Sequence, residues 1–123
     1  MARRINRSAK FVSNRGFLLV RPTEACAKWI NDQGGIPAPD VLSKATLYMV
    51  PELEYTENVD IEKILLWFYR QIFKIELWGW YTKEALSPME IDFEKFREWF
   101  DCEYIDMCYD LSYRRRIRLE KAG

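Results

Sequence analysis

Ile61, Ile64, Leu65, Phe68, Ile72 and Ile75 recur at i, i+3, i+4, i+7 spacing, preceded by the capping residues Asn58 and Asp60 and followed by Gly79. This period belongs to an α-helix, and it predicts one that runs to about Trp78 with this stripe facing the core. Leu66, Trp67, Phe73 and Leu77 form a second apolar stripe beside it, so the helix is expected to touch more than one neighbour. It is the central helix of whatever fold the chain adopts.

The flanking segments read differently. Gly16-Phe-Leu-Leu-Val-Arg-Pro22 is an apolar run of strand length bounded by Gly and Pro, and its consecutive apolar positions imply burial of both faces. Thr23 is a capping residue, Glu24 sits where a helix dipole favours an anion, and Gly34-Gly35 supplies a stop, which predicts a helix with Cys26, Trp29 and Ile30 on one face. Ile36 to Pro39 is a connector, Asp40 starts a brief helical turn, and Thr46 to Val50 is a second strand ended by Pro51. Strand, helix, strand suggests a parallel crossover. A third helix starts either at the capping box Ser87-Pro-Met-Glu90 or at Asp92, carries Phe93, Phe96 and Phe100 on one side, and ends near Asp101. Cys102 to Asp110 alternates as a third strand. The expected fold is α+β: a small three-stranded sheet with packed helices, order β-α-β-α-α-β, with the first strand in the middle.

At 123 residues, with 49% of residues apolar and 31% charged, the chain is of a size and composition for one folded domain. The formal charge is zero, yet the signs are segregated. Residues 1 to 21 carry six basic groups and no acid, residues 114 to 123 carry five basic groups against Glu120, and residues 22 to 113 carry eight basic and eighteen acidic groups. The expected organisation is therefore a basic arm over 1–15, a domain over 16–113, and a basic tail over 114–123. The apolar stretch from Ile61 to Trp80 is broken by Glu62, Lys63, Arg70, Gln71, Lys74 and Glu76, so no membrane span is expected. Three cysteines, an odd number, and no secretory signal point to reduced thiols in a cytoplasm.

Residues 16 to 111 resemble a family of small uncharacterised bacterial α+β proteins. The residues that carry the resemblance are Val20-Arg21-Pro22, the Tyr-x-x-Pro-Glu segment Tyr48 to Glu52, and Trp99-Phe100-Asp101-Cys102-Glu103 through Asp110-Leu111. The resemblance implies a compact bacterial domain and brings no activity with it. Both basic arms fall outside it.

The chain has no histidine, which removes Ser-His-Asp and Cys-His nucleophiles, the imidazole base and histidine-containing metal motifs. No glycine-rich phosphate loop occurs, because Gly34-Gly35 follows its helix instead of preceding it. Cys102 and Cys108, six apart on the expected strand, would lie about 20 Å from each other at about 3.3 Å per residue and cannot share a metal. They read as structural thiols. No catalytic, metal or cofactor-binding residue is assigned, and no cofactor is expected.

Two groups of charged residues remain. If the third strand holds, Asp106 faces with Tyr104 and Cys108 in an otherwise apolar row, and Arg21 at the end of the first strand is the candidate partner for a structural ion pair. The alternatives are a sheet edge where Asp106 meets water, or a catalytic or metal role. In the arms, Arg3, Arg4, Arg7, Arg114, Arg115, Arg116 and Arg118 are candidate anion or partner contacts. They admit three readings: phosphate-contacting tails, arms lying on the acidic surface of the same or a neighbouring subunit, or loose segments. Against nucleic acid stand the acidic body and the few aromatics near the arms, Phe11 and Tyr113. The leading expectation is a non-enzymatic interaction or regulatory module that self-associates, with a homo-oligomer or protein partner. The alternative is a nucleic-acid-binding protein that uses both arms.

Overall fold

The computed structural model describes residues 9–34, 37–52, 61–78, 91–112 and 115–122. Their elements are β1 (Lys10–Phe11), β2 (Arg15–Pro22), α1 (Glu24–Gly34), α2 (Ala38–Leu42), β3 (Thr46–Pro51), α3 (Ile61–Trp78), α4 (Phe93–Trp99), β4 (Phe100–Ile105) and β5 (Tyr109–Asp110). The fold is α+β: a three-stranded sheet in the order β3-β2-β4 carries packed helices, and a two-stranded ribbon joins β1 to β5. As expected, the first strand of the sheet is central.

Both neighbours of β2 run antiparallel to it, which corrects the expected parallel crossover. The reason lies in the connection. The short helix α2 follows α1, and β3 enters beside the end of the strand the chain has just left, with Val20 opposite Thr46. An out-and-back excursion returns the chain to the same end of the sheet, where only an antiparallel partner can start.

Helix starts follow from local chemistry. Thr23 accepts the Cys26 N–H on its hydroxyl at 3.5 Å, and the same hydroxyl donates to the Glu98 carbonyl at 2.8 Å. The Thr23 N–H donates to the Trp99 carbonyl at 2.8 Å, so one residue caps α1 and closes the end of α4. Asp92 caps α4, accepting the Lys95 N–H at 2.7 Å. The capping box at Ser87 to Glu90 lies outside the described residues. Helix α4 ends at Trp99, slightly earlier than expected, because Phe100 already has extended backbone and begins β4.

The core lies between the helices and one face of the sheet. Leu18, Val20, Val50 and Phe100 from the strands meet Cys26, Ala27 and Ile30 of α1, Ile64, Leu65, Ile72, Phe73 and Leu77 of α3, and Phe96 and Trp99 of α4. Phe73 is the aromatic hub, with ring centroids 5.5 Å from Phe100, 5.6 Å from Trp99 and 6.2 Å from Phe96. Trp29 adds a contact between α1 and α4 at 5.1 Å from Trp99. On α3 the main stripe turns inward at Ile64, Leu65 and Ile72, with Ile61 and Phe68 packed partly buried against the core and Ile75 half-buried. The second stripe divides: Phe73 and Leu77 are buried, whereas Leu66 and Trp67 face outward, with the Lys63 ammonium 5.7 Å from the Trp67 ring centroid.

The expected third strand is two strands. Pairing with β2 stops at Ile105, residues 106 to 108 turn away, and Tyr109–Asp110 pairs instead with Lys10–Phe11. Part of each segment taken as a basic arm or as the sheet's last strand therefore belongs to the ribbon. Among the described residues no helix is long and apolar enough to cross a membrane.

Candidate functional site

Strand alternation gives the sheet a second face, away from the helical core. Phe17, Leu19 and Arg21 of β2 lie between Met49 and Leu47 of β3 on one side and Ile105, Glu103 and Asp101 of β4 on the other. Phe17 is fully buried on this face, but Leu47 and Met49 are 49% and 50% exposed and Leu19 is half-buried beside them. The two edges of the sheet differ. The outward residues of β4 include Asp101 and Glu103, whereas β3, Thr-Leu-Tyr-Met-Val-Pro, has no charged residue. Among the described residues, neither outer edge is paired with another strand.

The ion pair expected between Arg21 and Asp106 does not form. Strand register sets Asp101 opposite Arg21, and Asp106 lies five positions further on, about 16 Å along the strand direction. Asp106 is exposed just past the end of β4, so the carboxylate meets water and needs no partner. The cysteines separate too: Cys102 is on β4 against the core, and Cys108 is in the segment before β5, where its carbonyl accepts the Val12 N–H at 3.1 Å. All three thiols are free. Among the described residues no group of three or more Cys, Asp or Glu side chains is placed to hold a metal.

The basic arms are brought together. Lys10 and Phe11 of β1 lie opposite Asp110 and Tyr109 of β5, and Arg115 to Ile117 lie around the same cleft as Lys10 to Val12. Lys10, Phe11, Val12, Asp110, Ser112, Arg115, Arg116 and Ile117 enclose an open cleft of about 450 Å3. Arg115, Arg116 and Arg118 are all exposed. Lys10, Arg115 and Arg116 have no carboxylate within ion-pair distance among the described residues. The lone acid in the cleft, Asp110, is turned into the backbone, its Oδ1 accepting the Ser112 N–H at 2.8 Å. Arg3, Arg4, Arg7 and Arg114 lie outside the described residues. Sequence reasoning missed Lys10 as a member of this cleft and Tyr109 as the ring packed against Phe11 beside it, because a two-residue ribbon leaves no periodic signal.

One buried polar group was also hidden. Glu76 on α3 is only 7% exposed and accepts a hydrogen bond from the Tyr48 hydroxyl at 3.0 Å. Burial raises its pKa above the usual carboxylate value, although hydrogen bonds from Tyr48 and Thr46 act in the opposite sense. Its charge in turn adds to burial in pushing the Cys26 thiol up to about 12 and the Cys102 thiol up to about 11.

No family model and no solved structure matches the chain. Over 80 residues, 64% of its length, it is 29% identical to the nuclear cap-binding protein subunit 1 of Salmo salar. The chain spans about a tenth of that protein.

Proposed function

We propose that the protein is a non-enzymatic interaction module that associates with a second copy of itself through the face and edge of β3. The observation that supports this is the apolar strip of Leu19, Leu47 and Met49 lying beside a sheet edge without a single charge. An unpaired strand offers a row of N–H and C=O groups, and sheets normally guard such edges with charged side chains, as Asp101 and Glu103 do on β4. The edge of β3 lacks that guard. Two copies related by a two-fold axis would meet β3 to β3 in antiparallel register and bring both strips together, so one surface is self-complementary.

Light scattering coupled to size exclusion tests the reading. The parent chain is expected to run as a dimer. Met49→Lys with Leu47→Lys should give a folded monomer, because both side chains are half-exposed and the change places like charges across the two-fold. A parent chain that is monomeric at every concentration accessible to the measurement would end this reading.

A further inference from the structure

We propose that the cleft between the two arms, lined by Lys10, Phe11, Arg115 and Arg116, binds single-stranded nucleic acid. The site is independent of the β3 surface and shares no residue with it.

Three features of the cleft select this ligand. The first is charge without compensation. Lys10, Arg115 and Arg116 converge on one cleft, none is ion-paired among the described residues, and Asp110 spends one carboxylate oxygen on the Ser112 N–H. Cations held together in this way are suited to phosphate, and releasing the counterions of a phosphate chain favours binding. Although residues 22 to 113 are acidic overall, three cations face one acid in the lining of the cleft.

The second feature is aromatic. Phe11 lines the cleft and Tyr109 stands against it across the ribbon, ring centroids 6.0 Å apart and planes at 60°. Both rings are 57% exposed and stand on opposite strands of one ribbon, so their faces are open to a planar partner. A base that stacks on such a ring removes it from water, and stacking of this kind accepts any base. A duplex conceals its base faces and would gain only the charge contacts.

The third feature is extent. Arg118 and Lys121 follow on the exposed chain beyond the cleft, with Glu120 the one acid among them. A strand that crosses the cleft can follow them, with phosphates on the cations and a base on the ribbon.

The experiment is fluorescence anisotropy of the full chain with fluorescein-labelled oligouridylate, the matching duplex as comparison, at several salt concentrations. The single strand should bind more tightly than the duplex. Replacing Lys10, Arg115 and Arg116 by Gln should flatten the logarithmic salt slope by about 2, at about 0.7 per lost contact. Phe11→Ala with Tyr109→Ala should weaken binding about fivefold or more and leave the slope unchanged. Arg118→Gln lies on an exposed segment without regular structure, leaves the ribbon intact, and should lower the slope by about 0.7 by itself. Absence of binding by the parent at low salt, or an unchanged slope in both Gln variants, overturns the proposal. So does equal affinity for the duplex, or displacement of the oligonucleotide by polyglutamate as readily as by unlabelled oligouridylate. The β3 variants should lose the dimer and keep oligouridylate binding, since the two surfaces are separate.

Discussion

The Tyr48 hydroxyl donates to Glu76 Oε1 at 3.0 Å and so ties β3 to α3 across the core, two residues 28 positions apart in the chain. Tyr48 lies on the helix-facing side of the same strand whose Leu47 and Met49 face outward. A strand anchored in this way keeps its outer residues in a fixed register, which any partner on that face requires.

The buried carboxyl should govern how stability depends on pH. Its folded pKa is raised above the ordinary value of 4.5, so the folded chain holds the Glu76 proton more tightly than the unfolded chain does. The resulting stabilisation is complete below pH 4.5 and is lost as pH rises through the folded pKa. Glu76→Gln keeps an acceptor for Tyr48 without carrying a charge. Urea unfolding is therefore expected to show parent and variant nearly equal at pH 4 and the variant the more stable at pH 8. A variant that is less stable at pH 8 would mean that the charged form is the one the core favours.

Substitutions should separate the buried from the outward-facing side of α3. Ile64 and Phe73 are fully buried, and truncation to Ala leaves a cavity that costs about 2–5 kcal/mol at Ile64 and about 3–5 kcal/mol at Phe73. Trp67 faces outward, 59% exposed with the Lys63 ammonium over its ring, so Trp67→Ala should cost about 1 kcal/mol or less. Chemical denaturation of the three variants reads this order directly. A large loss at Trp67 would show that this face is covered.

Gly16 and Tyr104 should be energetically coupled. A Cβ added at Gly16 would come 2.5 Å from the Tyr104 hydroxyl and 2.8 Å from Cε2, closer than atoms can approach, so the ring would have to move. Gly16→Ala is expected to destabilise by about 1–3 kcal/mol, the usual cost of overpacking. In a Tyr104→Ala background the same change should cost almost nothing, and a double-mutant cycle measures the difference. Additive effects at the two positions would place the ring elsewhere.

What could be read from the sequence depended on periodic patterns. The stripe from Ile61 to Ile75 needs only local spacing, and Thr23 and Asp92 cap their helices through residues three positions away, so these are visible in sequence. Strand direction is different. Whether α2 reverses the chain depends on how it packs on α1, which no local spacing encodes. The alternation from Cys102 to Asp110 was real, but a change of pairing partner at Ile105 does not interrupt alternation, so one strand and two read alike. Asp106 then lost its supposed inward face, and with it the partner Arg21. The ribbon that assembles the basic cleft is formed by residues about a hundred positions apart, and Glu76 sat within a helix where its burial was set by a tyrosine on a strand. The arginines of the arms were visible as charge. Their neighbours were not.

The thiols provide a last check on the core between β4 and α1. Cys26 is buried, and Cys102 is half-buried with its thiol 4.0 Å from the Phe100 carbonyl; burial, reinforced by the Glu76 carboxylate, pushes them up to about 12 and about 11. Only the thiolate reacts with iodoacetamide. At pH 8 the thiolate fraction is thus about one in ten thousand for Cys26 and about one in a thousand for Cys102, against roughly a quarter for an ordinary thiol. In the folded chain both should label at least a hundredfold more slowly than in urea, as read by peptide mapping after timed quenching. The sign of the pH effect is also fixed: raising the pH from 8 to 9 should speed both about tenfold, since each is far below its pKa, whereas an ordinary thiol gains only about threefold. Rapid labelling of Cys102 at pH 8, with Cys26 protected, would show that β4 separates from α3 while α1 stays packed; rapid labelling of both would show that the core around Glu76 opens as a unit.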